Sequence, residues 1–157
     1  MSDRPHEEDT EELRSRAIAL HGELRVELRN ALHLATRVDR GDRNAIEALG
    51  QVADELVGLT HRHISFERER LGPFLEGANA WGPERARLLV EIERQQQDEA
   101  LSAAAALVAA LSRPESLVVA TRRLARAVLR AMRLEERELL RSDVMREEVV
   151  VSDQSTG

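Results

Sequence analysis

The stretch HISFERERLGPFL, residues 63–75, sets a histidine and a carboxylate, His63 and Glu67, four positions apart. On a helix that spacing is about one turn, so both side chains can address one point from one face. A second stretch, AMRLEERELL at 131–140, echoes the first: His63 and Ala131, like Glu67 and Glu135, lie 68 positions apart. The carboxylate persists in the copy, and alanine stands where a histidine would be.

Outward from this pair the chain reads as helix throughout. Towards the N-terminus of the motif, apolar residues recur as Ile46, Leu49, Val52/Ala53, Leu56 and Leu59/Thr60, and His63 and Glu67 complete the same stripe as its polar members. Asp42 is placed to cap this second helix, and Gly72-Pro73 is expected to stop it. An earlier helix starts at Asp9, with Glu12 three residues on. Its stripe runs Leu13, Ala17, Leu20, Leu24, Leu28, Ala31 and Ala35, with His21 on or beside it, and it ends at the Asp39-Arg40-Gly41 turn, giving a length of about 40 Å.

Residues Phe74 to Trp81 form a short connection, and Pro83 opens a third helix as its first residue. That helix is apolar at Leu88, Leu89 and Ile92, becomes polar over Arg94-Gln95-Gln96-Gln97-Asp98-Glu99, and resumes as an alanine-rich segment to Leu111. Counted from Leu88/Leu89 and Ile92, Gln96 and Glu99 fall nearest the inward face. A fourth helix restarts at Ser112-Arg113-Pro114-Glu115 and carries Leu117, Ala120/Thr121, Leu124, Val128, Ala131 and Glu135 on one side. Periodicity is lost beyond Asp143.

Four long helices joined by short links, with no strand pattern, predict an all-α, antiparallel up-down-up-down four-helix bundle. The expected organisation is a polar tail at 1–8, the bundle at 9–143 and a second tail at 144–157. A chain of 157 residues suffices for one core without disulfide or metal staples. The absence of cysteine excludes a thiolate metal site and a cysteine nucleophile, and suits a reducing, cytoplasmic setting.

All basic residues are arginine, and they alternate with glutamate, as in Glu67-Arg68-Glu69-Arg70. Opposite charges interleaved in this way describe a solvated helix exterior. With a net charge of −6 and few aromatic residues, the composition argues against a nucleic-acid partner. No apolar run reaches the roughly 18 residues of a membrane span. Gly-rich phosphate loops, nucleophile elbows and serine triad signatures are likewise missing from the sequence.

What remains is a metal-ligand pattern. Imidazole nitrogen and carboxylate oxygen together suit iron, and a four-helix bundle can offer such donors from facing helices at one depth. The candidate ligands are His21, His63, Glu67 and Glu135, with Gln96 or Glu99 as the third helix's nearest contribution. His61, about 200° round the helix from His63, should face away. His33, more than three turns beyond His21, belongs to another level.

The order of these residues resembles the hemerythrin-like, or HHE cation-binding, domain family. In that family the first helix gives a histidine, the second an H-x-x-x-E, the third a histidine and the fourth a second H-x-x-x-E. His21 matches the first, His63 and Glu67 within HISFERERLGPFL the second, and Glu135 within RLEERELL the fourth. The resemblance spans about residues 13–140, and implies a non-haem site of one or two iron ions engaged in iron- or dioxygen-linked binding or sensing rather than turnover. Two positions depart from the pattern: the third helix has no histidine, and Ala131 replaces the fourth helix's histidine. Those departures leave open a metal-free descendant of the fold serving as an interaction or regulatory module.

Overall fold

The computed structural model describes residues 6–77 and 83–140. Among them every element is helical: α1 (His6–Asp39), α2 (Asn44–Phe66), α3 (Gly72–Gly77), α4 (Pro83–Ala110) and α5 (Pro114–Leu134). A π turn, Glu67–Leu71, joins α2 to α3, and a second, Glu135–Leu139, extends α5. The expected tail at 144–157 lies outside the described residues, and so do residues 1–5 of the expected N-terminal tail; α1 begins at His6, three residues before the expected start at Asp9. No helix among those described is long and apolar enough to cross a membrane.

The breaks between long helices fall where the local chemistry places them. Gly41 takes φ 90°, a left-handed conformation that a side chain would strain, and this turns the chain after α1. Asp42 then accepts a hydrogen bond from the Asn44 backbone N–H at 3.1 Å and an ion pair from Arg37, fixing the corner into α2. Pro83 and Pro114 begin α4 and α5, where a missing N–H costs nothing.

Gly72-Pro73 does not end the second helix as the sequence suggested. Proline cannot donate to the carbonyl four residues back and its ring crowds that carbonyl. The backbone absorbs this by widening: the Gly72 N–H bonds to the Glu67 carbonyl, five residues back, and α3 continues. A Cβ on Gly72 would lie 3.1 Å from that carbonyl oxygen, so the wide turn is closed most easily around glycine. At the other π turn the Leu140 N–H reaches the Glu135 carbonyl at 2.8 Å. Both motif carboxylates therefore stand at the first position of a π turn, a distortion that tends to occur at functional sites.

α1 packs most extensively on α2 and α4 on α5, while α1 also touches α5 and α2 touches α4, so the four long helices close into a ring. Two apolar clusters fill it. The larger holds Leu24, Leu28, Leu49, Leu56, Leu107 and Leu124, with Ala100, Ala103 and Ala104 letting α4 approach its neighbours closely. The smaller contains Leu13, Ala17, Phe66, Leu71, Leu139 and Leu140. Arg14 donates from Nε to the Leu140 carbonyl at 3.1 Å, tying the start of α1 to the end of the second π turn.

Along α1, α2 and α5 with their π-turn extensions, the polar motif residues lie between these two clusters. On α1, His21 separates Ala17 from Leu24; after α5, Glu135 separates Met132 from Leu139. On the α2 side, His63 and Glu67 fall between Leu59 and Leu71. The fold thus contains one polar layer sealed above and below by hydrocarbon. Leu56→Ala, which empties a fully buried position, is expected to lower unfolding free energy by about 2–5 kcal/mol in denaturant titration. Val119→Ala, on an exposed face of α5, should stay within about 0.5 kcal/mol.

Candidate metal centre

His21, His63, Glu67 and Glu135 meet in this polar layer, each offering a donor atom within 4.8 Å of the others'. They are 0, 4, 2 and 0 % exposed respectively, so the layer is shut off from bulk water on these sides. His21 Nε2 and Glu135 Oε2 are 2.7 Å apart, His63 Nε2 and Glu67 Oε1 2.7 Å, and His63 Nε2 and Glu135 Oε2 3.4 Å. The two imidazole rings meet edge to face, with centroids 4.8 Å apart.

The close approach of His63 Nε2 to Glu67 Oε1 lacks hydrogen-bond alignment, and neither atom has a hydrogen-bond partner. Glu135 Oε1 is also without one. Buried polar atoms are normally satisfied, so three such atoms in one layer need an account. As bare carboxylates, Glu67 and Glu135 have no donor for their Oε1 atoms; a proton held between them, or a cation, would supply the missing interaction.

Protonation in the absence of metal follows from burial and proximity. Burial, reinforced by the nearby Glu135, pushes the Glu67 carboxyl well above its ordinary range. Burial acts in the same direction on Glu135 but is outweighed by the adjoining Glu67, His21 and His63 side chains, so Glu135 is held below the usual carboxylate range. For His63, burial opposes the charge, yet the adjoining carboxyl groups of Glu135 and Glu67 raise it to about 10. The layer accordingly resolves into a proton-bearing Glu67 beside an ionised Glu135 and a charged His63.

A second carboxylate steadies His21 from behind. Glu136 accepts from His21 Nδ1 at 2.9 Å and from Arg25 Nη2 at 2.6 Å. Partial burial works against the Glu136 charge, but Arg25 and then His21 hold it below its ordinary value. An ionised carboxylate can only accept, so Nδ1 carries a proton and Nε2 is the nitrogen turned to the cluster. This is the arrangement in which a carboxylate orients a histidine for a metal.

The α4 contribution differs from the expected one. Glu99 is exposed and pairs with Arg130 at 3.3 Å, and Gln96 is only half-buried. Glu93 and Gln97 are the buried polar residues instead. Gln97 donates from Nε2 to Glu67 Oε2 at 2.8 Å while its Oε1 accepts from Arg68 Nε at 2.7 Å, and Arg68 also reaches Asp98. Burial, then the charge of Glu135, raises the Glu93 carboxyl to about 8. The error has a physical source: Leu88, used to set the helix's phase, is 56 % exposed. Counting back from Ala103 and Ala100 instead gives Gln97 and Glu93.

Other sequence expectations meet the structure directly. Ala131 is buried one turn before Glu135, and His33 and His61 are exposed, away from the cluster. Glu136 and Arg25 were not legible as site residues, because an acidic and a basic residue on charged helix faces carry no distinguishing pattern. No family model, no curated protein and no solved structure matches the chain.

The donor set fits a metal ion. With metal–donor bonds of about 2.1 Å, neighbouring ligand atoms in octahedral or tetrahedral shells lie about 3.0–3.4 Å apart, close to the 2.7–3.4 Å contacts here. Two nitrogens and two carboxylates suit iron, zinc or manganese. In chelator-treated protein, Glu67→Gln should change unfolding free energy by less than about 1 kcal/mol, since a neutral isostere replaces a proton-bearing acid. Glu135→Gln should cost about 3–5 kcal/mol because it strands the His63 charge. Equal costs for the two variants in denaturant titration would contradict this division of protonation.

Proposed function

We propose that the chain is a hemerythrin-like protein: an antiparallel up-and-down four-helix bundle that binds one or two non-haem iron ions and works in iron- or dioxygen-linked binding or sensing. The observation that carries this reading is the convergence of His21, His63, Glu67 and Glu135 in a sealed layer where three donor atoms lack partners. The order of these four residues along the chain, and their resemblance to the family's first, second and fourth helices, point to iron among the metals such donors accept.

In this proposal His21 and His63 give nitrogen through Nε2, and Glu67 and Glu135 give oxygen. Iron, when bound, supplies redox chemistry and Lewis acidity. The protein's own residues perform the remaining tasks. Glu136, backed by Arg25, fixes the tautomer and direction of His21, and Gln97, held by Arg68, fixes Glu67 Oε2. The apolar clusters on both sides keep water from the layer and hold the carboxylates at low dielectric. Binding would release the protons held by Glu67 and by the coordinating imidazole Nε2 atoms, leaving two neutral imidazoles and two carboxylates to balance the cation's charge.

A second reading, a metal-free bundle used as an interaction or regulatory module, is favoured by Ala131 at the position echoing His63 and by the 2.7 Å His21–Glu135 hydrogen bond, which lets the cluster neutralise part of its own charge. The two readings differ in metal content. Protein purified from iron-fed cells is expected to contain one to two irons per chain and to lose about 2.7 kcal/mol or more of stability to a chelator, as for a ligand at 100 times its dissociation constant. His63→Ala should abolish both. Iron well below one per chain, with stability indifferent to chelator, supports the metal-free module and sinks the iron proposal.

A further inference from the structure

Glu93 takes no part in the four-residue cluster, yet it is only 4 % exposed and its Oε1 meets no hydrogen-bond donor. It lines a cavity of about 390 Å³ between the first π turn, the start of α3 and α4, and Glu67, whose own Oε1 lacks a donor, lines the same cavity. Two unpartnered carboxylate oxygens, from side chains more than nine-tenths buried and on different helices, thus border one space. Glu136, by contrast, has its carboxylate held by Arg25 and His21.

The cavity's other charges are accounted for differently. Arg68 is committed to Gln97 and Asp98, and Arg94 stands on the exposed side of α4. Neither neutralises Glu93. Gln97, one turn from Glu93 on the same helix face, already touches Glu67. Glu93 is also close enough to His63 and Glu135 for their charges to act on it. It therefore stands beside the polar layer, on the side where the cavity offers the sealed cluster a route from solvent.

We infer that Glu93 is a fifth metal donor, contributed by α4 and facing a divalent cation that enters through the cavity between the first π turn and α4. All four long helices then supply a donor: His21 from α1, His63 from α2 with Glu67 beyond it, Glu93 from α4 and Glu135 beyond α5. Gln97 keeps Glu67 in place, while Glu93 adds a hard oxygen that raises the site's preference for iron or manganese over softer metals. The inference rests on the metal-binding reading above and extends it to a residue that neither motif contains.

The test is a competition titration of the full chain with Zn²⁺ and Mn²⁺ against a chelator of known affinity, comparing wild type, Glu93→Gln, Glu93→Asp and, as an exposed control on the same helix, Glu99→Gln. Circular dichroism and thermal unfolding of the metal-free forms accompany it. Glu93→Gln is expected to keep its helix content and metal-free stability, since it removes an unpartnered carboxyl, and to weaken metal binding at least about tenfold. Glu99→Gln should leave affinity unchanged. If Glu93→Gln fails to fold, Glu93→Asp, which keeps the charge but shortens its reach, is judged by the same criterion.

Metal affinity within twofold of wild type in a folded Glu93 variant overturns the inference and leaves the four-residue site standing. A loss of affinity matched by Glu99→Gln overturns it as well, because the effect would then be one of general charge. Wild-type protein that takes up neither metal removes both the site and the inference.

Discussion

Glu67 and Glu135 place two carboxyl groups inside a helical protein where an ionised, unpaired carboxylate costs several kcal/mol. The layer around them is arranged to meet that cost. His21 approaches from α1 and His63 from α2, Gln97 reaches across from α4, and Glu136 with Arg25 secures His21 from its far side. Hydrocarbon closes the layer at both ends. Remove the carboxyls and most of this polar architecture has no object, because each of these contacts leads to Glu67, Glu135 or the histidine bound to one of them.

The duplicated pattern in the sequence has a structural counterpart that side-chain spacing alone did not disclose. Glu67 and Glu135 each begin a π turn, and each turn ends in a fully buried leucine, Leu71 and Leu139, of the smaller apolar cluster. Helix widening at a carboxylate shifts the following residues around the axis and lets the chain pack a leucine directly beyond the polar layer. In the second helix the constraint that forces widening is Pro73, which the sequence displays. In α5 no proline is present, and the wide turn was not foreseeable from composition or periodicity.

Much of the architecture was legible because the decisive signals were strong and local. The Gly41 turn, Pro83 and Pro114 mark element ends, and the stripe Leu117 to Val128 on α5 is buried throughout its predicted positions. His21, His63, Glu67 and Glu135 could be nominated because each interrupts or continues an apolar stripe. The α4 residues could not be placed as easily. That helix opens with Leu88 on the outside, and alanines give a weak contrast between faces, so the phase slipped by one position and Glu99 was set inward in place of Glu93 and Gln97. Gly72-Pro73 misled for another reason: a proline normally ends a helix, but a glycine at the close approach to the Glu67 carbonyl allowed the backbone to widen and continue.

A layer of convergent donors with unsatisfied atoms is a site for a cation, whereas a layer that satisfies itself by proton sharing is a structural device. The most direct discrimination is crystallographic: crystals grown from iron-loaded protein, with diffraction recorded on both sides of the iron absorption edge. The account predicts an anomalous peak enclosed by His21, His63, Glu67 and Glu135. Iron-replete crystals with no anomalous density between those four side chains, and with the His21–Glu135 hydrogen bond intact at its present length, would contradict it.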